Sequence, residues 1–155
     1  MRASESIVVN APVERIIEFV TDPVRYPKAD TKILKLTMLE QRGNEARVRA
    51  RGYLRSRLLQ GALTLRIKVQ GQERIDIDTE PGSISFPTRL ALEDFVGEFT
   101  FQATPKGVRV THTEDQRFRN TPLGRLADRI SGRWLREHLA NEEMPRLKAI
   151  VESAG

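Results

Sequence analysis

From Lys32 to Phe118 the chain alternates apolar and polar residues at a period of two, and this feature constrains the fold more than any other. Leu34, Leu36 and Met38 alternate with Lys35 and Thr37. Val48, Ala50, Gly52 and Leu54 alternate with Arg47, Arg49, Arg51, Tyr53 and Arg55. The pattern returns at Leu63, Leu65, Ile67 and Val69, at Ile75 and Ile77, at Phe99 and Phe101, and at Val108 and Val110. Turn formers separate these runs at Gln41-Arg42-Gly43-Asn44, Gln60-Gly61, Glu80-Pro81-Gly82-Ser83 and Thr104-Pro105-Lys106-Gly107. One-sided alternation specifies antiparallel strands with one buried and one wet face. The stretch from Leu63 to Thr79 is long for one strand, so a bulge or bend is expected near Gly71.

Helical signals flank this region. Ser6-Ile7-Val8-Val9-Asn10 reads as a short strand, and Ala11-Pro12 then opens a helix with Val13, Ile16, Ile17 and Val20 on one side. Asp22-Pro23 ends it, and a second short helix or turn is expected from Val24 to Asp30. Thr121-Pro122 starts a long helix with Leu123, Leu126, Ala127, Ile130 and Trp134 on one face. Pro145 is expected to kink or interrupt it before Leu147, Ile150 and Val151 resume apolar contact. The order is strand, two helices, six strands, long helix. This predicts an α+β fold in which a curved seven-stranded antiparallel sheet wraps the C-terminal helix. With 155 residues, 39% of them hydrophobic, a single domain over 1–155 is expected. A cavity between sheet and last helix follows from the curvature, and a ligand site of this kind is expected to exceed ~300 Å³.

Several chemistries lack their residues. There is no cysteine, which excludes disulfides and thiolate catalysis. His112 and His138 are the only histidines, with no metal-ligand spacing around them. No GxSxG, Walker or GxGxxG motif occurs, so no metal, redox cofactor or nucleotide is expected. No apolar run approaches the ~18 residues of a membrane-spanning helix. The first residues carry no signal-peptide core, and a cytoplasmic location is the default expectation.

Quoted in order, Ser6-Ile7-Val8-Val9-Asn10-Ala11-Pro12-Val13-Glu14-Arg15-Ile16, Phe19-Val20-Thr21-Asp22-Pro23-Val24-Arg25-Tyr26-Pro27, Pro105-Lys106-Gly107-Val108-Arg109-Val110-Thr111 and the ending Leu147-Lys148-Ala149-Ile150-Val151-Glu152 resemble the START-like, or SRPBCC, superfamily. That group includes the birch-pollen-allergen proteins and the polyketide cyclase/dehydrase family. The resemblance implies a helix-grip fold that binds lipids, sterols, polyketides or similar apolar ligands. The superfamily usually has a large aromatic residue shortly after Tyr-Pro, where this chain has Lys28-Ala29-Asp30, so the pocket mouth is expected to differ. Members include carriers, enzymes, hormone sensors, quinone-binding proteins and a ribosome-associated subgroup, and fold alone does not choose among them.

Candidate site residues follow from strand parity. If Val108 and Val110 face inward, His112, Glu114 and Gln116 share that side. Facing a cavity, His112 and Glu114 are placed to orient a ligand's polar end or to act as acid and base; beyond a register shift, both would instead be wet. The expected cavity wall is Leu36, Val48, Ala50, Leu65, Ile67, Ile77, Phe99, Phe101, Val110, His112 and Glu114 from the sheet, with Leu126, Ile130 and Trp134 from the helix. Arg47, Arg49, Arg51, Arg55 and Arg57 line the opposite face of one strand, beside Arg66 and Lys68. With a formal charge of +5, this row suits either a ribosomal or RNA partner or a solvated face balanced by Asp76, Asp78 and Glu80. Three functions stay open: carriage or sensing of an apolar small molecule such as a lipid, polyketide or quinone, a polyketide cyclase/dehydratase-type reaction, and a ribosome- or RNA-associated module.

Overall fold

The computed structural model describes residues 1–53 and 60–154; Leu54, Arg55 and Arg57 lie outside the described residues. Strand β1 (Arg2–Val9) leads into helix α1 (Val13–Thr21) and a 3₁₀ turn (Tyr26–Lys28). Then come β2 (Ile33–Arg42), β3 (Glu45–Tyr53), β4 (Gln60–Gln70) and β5 (Arg74–Thr79). A second 3₁₀ turn (Thr88–Leu90) precedes β6 (Leu92–Thr104) and β7 (Gly107–Phe118). The chain closes with α2 (Pro122–His138), a π-helical turn (Leu139–Glu143) and α3 (Met144–Ser153). The strands form one seven-stranded sheet in the order β1-β7-β6-β5-β4-β3-β2, every pair antiparallel. This is the helix-grip arrangement expected from the alternation, with one helix rather than two after β1. The segment following Asp22-Pro23 makes only the 3₁₀ turn.

Near Gly71 the expected bulge is instead a hairpin reversal. Gly71 adopts φ +57°, a left-handed value that a side chain disfavours, and β4 and β5 pair on either side of it from Gln70–Arg74 to Leu65–Thr79. The irregularities fall in β2, between Ile33 and Lys35 and between Met38 and Glu40, and at the start of β6 between Leu92 and Asp94.

One face of the sheet carries the main core. Phe99, Phe101, Val108 and Val110 pack with Ile16, Phe19 and Val20 of α1 and with Met144, Leu147 and Val151 of α3. A second, smaller cluster joins Ala3 to Leu135 and Leu139. Helix α2 starts as the Thr121-Pro122 signal predicts: Thr121 Oγ1 accepts from the Gly124 N–H at 3.1 Å, with Pro122 at the first helical position. Its buried stripe is Gly124, Ser131, Leu135 and His138, about one residue round from the expected face, so Leu123 and Leu126 are 50% and 52% exposed. Pro145 interrupts the α-helical bonding, as expected, without ending the helix. It has no N–H to offer the Asn141 carbonyl, and just ahead of it the chain widens into the π turn, where the Met144 N–H reaches back five residues to Leu139 O. Among the described residues, no helix is long and apolar enough to cross a membrane.

Part of the basic row on the outer face of β3–β5 is paired with carboxylates. Arg47 pairs with Glu80 at 2.9 Å, Arg66 lies 3.9 Å from the same carboxylate, and Arg74 pairs with Asp76 and Glu98. Arg49 donates to the Ser83 carbonyl at 2.7 Å.

Candidate functional site

The part of the concave sheet face that α1 and α3 leave uncovered bounds a cavity of about 150 Å³. That is half the volume expected. Leu36, Ala50, Leu65, Ile67, Ile77 and Phe99 supply apolar wall, and Tyr26, Asp30, Lys32, His112, Glu114 and Gln116 supply polar wall. The lining extends to Tyr53 and Gly61, on either side of residues 54–59.

Of the other residues expected on the wall, Val48, Phe101 and Val110 are buried in packing away from the cavity. Phe101 and Val110 sit in the part of the sheet filled by α1 and α3. Leu126, Ile130 and Trp134 are also off the wall, because α2 is rotated relative to the expected face. Trp134 stacks on His138 with ring centroids 5.2 Å apart and lies 6.4 Å from Tyr53.

Strand parity does carry His112, Glu114 and Gln116 inward: all three are buried and line the cavity. The His112 ring lies flat against Phe99, its partner across the β6–β7 ladder, at 3.9 Å between centroids. Glu114 and His112 belong to a larger buried group whose other members the alternation does not reveal. Lys32 enters from the residues between the first 3₁₀ turn and β2, and its backbone is gripped by β3: Tyr53 N–H donates to Lys32 O at 3.0 Å. Gly52 permits that approach, since a Cβ there would sit 2.6 Å from the same oxygen.

The Lys32 ammonium has three protons and faces three carboxylates. It donates to Asp30 Oδ2, to Glu114 Oε1 at 2.7 Å and to Glu143 Oε2 at 3.4 Å. Glu143 comes from the π turn and is fully buried. It also accepts from the Tyr26 hydroxyl at 2.5 Å and lies 2.6 Å from His112 Nδ1. On the far side, Asp30 Oδ1 meets His138 Nε2 at 3.0 Å. Two carboxylate–imidazole triads, Asp30–His138–Glu143 and His112–Glu114–Glu143, converge closely enough to hold a cation; the Lys32 ammonium, bonded to carboxylates of both, serves as one.

Burial opposes charge on Lys32, but Asp30, Glu114 and Glu143 outweigh it and hold its pKa well above the usual lysine value. The two glutamates respond in opposite directions. Burial raises both, but Glu143 is surrounded by Lys32, His112 and the Tyr26 hydroxyl, which pull it well below the carboxylate range. For Glu114 burial wins over Lys32 and His112, and its pKa rises. His112 is pulled down by burial and raised further by the Glu143 charge, ending above the usual imidazole value. Burial and the charges of Glu143 and Asp30 drive Tyr26 well above 10.0. Of the two glutamates, Glu114 is therefore the one that more readily takes a proton. It faces the cavity, and its Oε2 has no hydrogen-bond partner among the described residues.

Residues 1–152 match a family of proteins described as "Polyketide cyclase / dehydrase and lipid transport". Among solved structures, a protein of Thermus thermophilus aligns over 100% of this chain and 99% of its own, at 15% identity and a TM-score of 0.80. The Zhui aromatase/cyclase of Streptomyces sp. R1128 aligns over 98% and 93%, at 14% identity and 0.79. A START superfamily protein of Mycobacterium smegmatis aligns over 99% of both chains, at 17% identity and 0.73. At these identities the likeness is one of fold. No curated protein sequence matches the chain.

Proposed function

The chain belongs to the polyketide cyclase/dehydrase and lipid-transport family, and from that premise we propose that it binds a small apolar molecule in the sheet cavity, polar end toward Glu114. The observation that carries this reading is the cavity's two-sided character. Aliphatic and aromatic side chains form most of the wall, and one part of it is a buried ion group that an ordinary core would not contain. Buried charges of this kind cost several kcal/mol per ion in desolvation. A volume of about 150 Å³ is comparable to apolar cavities that accept benzene, so the enclosed part suits about one ring, with any longer part of the ligand running toward Tyr53 and Gly61.

The test compares organic extracts of natively purified wild type and an Ala50→Phe variant, which fills the cavity without touching the ion group. A stoichiometric apolar compound in the wild type, lost in a folded Ala50→Phe, supports the reading. Equal retention by the variant places the compound elsewhere and overturns it.

A second reading is a cyclase/dehydratase-type reaction. It is favoured by one observation, a carboxyl of raised pKa (Glu114) beside an imidazole (His112), both on the cavity wall. Glu114 would give its proton to a leaving hydroxyl and His112 would take one from carbon. Turnover of a β-hydroxy ketone by the wild type but not by Glu114→Gln is the expected result; equal rates sink this reading. The ribosome- or RNA-associated alternative draws less support, because Arg47 and Arg66 of that row share the Glu80 carboxylate.

A further inference from the structure

With Glu114 ionised against the Lys32 ammonium, two acceptors on the cavity wall have no donor among the described residues. Glu114 Oε2 and Gln116 Oε1 are both buried and unpartnered there, on residues that are 1% and 2% exposed. They lie two residues apart on the same face of β7, roughly 7 Å between Cα atoms, and both line the cavity. The third unpartnered atom, His112 Nδ1, already has Glu143 Oε1 at 2.6 Å. Buried acceptors without donors are rare in folded proteins and call for an explanation.

The charge around these acceptors limits what can supply the donor. Asp30, Glu114 and Glu143 face a single ammonium whose protons are all engaged among them. A ligand carboxylate would add a further anion to the group and bring no proton for either oxygen. An ether or hydrocarbon end would displace water from both acceptors without replacing its hydrogen bonds. A neutral hydroxyl donates to one oxygen and adds no charge.

Resting on the binding function proposed above, we infer that this cavity selects ligands whose buried end is a neutral hydroxyl, an alcohol or a phenol, over carboxylates and ethers of the same shape. The hydroxyl donates its one proton to Gln116 Oε1, beside the Glu114 carboxylate that turns anions away.

The experiment titrates the intact protein at pH 7 with ethylbenzene, 4-ethylphenol, 4-ethylanisole and 4-ethylbenzoate, following cavity resonances by NMR. 4-Ethylphenol is expected to bind about tenfold or more tightly than 4-ethylanisole, the usual effect of a hydrogen bond to a charged or strongly polar buried group, with 4-ethylbenzoate weakest. Gln116→Leu keeps the side-chain bulk and removes one acceptor without disturbing Lys32; it should shrink the phenol-to-anisole ratio. Anisole binding as tightly as phenol, benzoate binding tightest, or an unchanged ratio in Gln116→Leu overturns the selectivity while leaving apolar binding standing. If none of the four compounds shifts the cavity resonances, the binding function falls, and this inference with it.

Discussion

Glu114 and Glu143 reach the same Lys32 ammonium from different elements, one on β7 and one from the π turn, at 2.7 and 3.4 Å, and the protein makes one a reluctant anion and the other a committed one. Glu143 has three favourable partners and Glu114 has one strong contact plus an oxygen facing the cavity. That asymmetry makes Glu114 the glutamate of the pair that takes up a proton first as pH falls.

Removing the shared cation should be costly. Lys32→Met leaves Asp30, Glu114 and Glu143 buried without their ammonium, and the expected loss at pH 7 is about 3–5 kcal/mol. Unpaired buried carboxylates have folded pKa values above their unfolded ones, so the deficit should shrink as pH falls toward about 4–5. Urea unfolding at both pH values measures this; a loss that does not change with pH would show the cost to be packing alone.

The His112 and Glu143 shifts have opposite pH consequences. His112 has a raised folded pKa, so its contribution is full below about 6.5 and lost as pH rises through the folded value. Glu143 has a lowered one, so its contribution is present above about 4.5 and lost as pH falls through the folded value. Both operate together between these limits. NMR titration of the His112 ring should show its pKa above 6.5 in the wild type and lower in Glu143→Gln; an unmoved value would mean Glu143 is not its partner.

Gly52 is expected to be intolerant despite lying on an otherwise ordinary strand. In Gly52→Ala the new methyl would meet Lys32 O at 2.6 Å, pushing the Lys32 segment off β3. Overpacking of this kind costs about 1–3 kcal/mol. Thermal melting reads the loss, and amide shifts at Tyr26 and Glu143 should move with it; a neutral substitution would show that the Lys32 segment has slack.

Helix α2 provides a control on its own orientation. Leu135 is fully buried, and Leu135→Ala should cost about 2–5 kcal/mol. Leu126 is half exposed, and Leu126→Ser should stay within about 0.5 kcal/mol. Reversal of that order in denaturant unfolding would return Leu126 to the buried face.

The sheet was legible because its signal is local: alternation in β3, β4 and β7 shows which side chains share a face, and parity extended from Val108 and Val110 reaches His112, Glu114 and Gln116 without further information. The rest of the ion group was not, because Tyr26, Asp30, Lys32 and Glu143 come from a 3₁₀ turn, a strand entry and a π turn, none of which has a periodic signature. In sequence Asp30 stands out only within Lys28-Ala29-Asp30 at the expected pocket mouth, and Lys32 only as the start of the alternating region; only the fold brings Glu143 to them. The α2 stripe was misplaced by one residue because Leu123 and Leu126 are more apolar than Gly124 and Ser131, and small residues facing a tightly packed neighbour give no hydropathy signal. The cavity was overestimated since α1 and α3 fill the part of the concave face held by Phe101 and Val110.

The first strand pairs with the last, Ile7 opposite Val110, while the Lys32 group draws on residues as far apart as Tyr26 and Glu143. Such distant closures come late, after the local hairpins, because chain entropy must be spent before they reward it. Substitutions at Lys32 or Glu143 should then leave the refolding limb of a chevron nearly unchanged and steepen escape from the native state. The ammonium and carboxylates at the cavity wall would thereby act as a latch, setting the lifetime of the folded molecule rather than the speed of its birth.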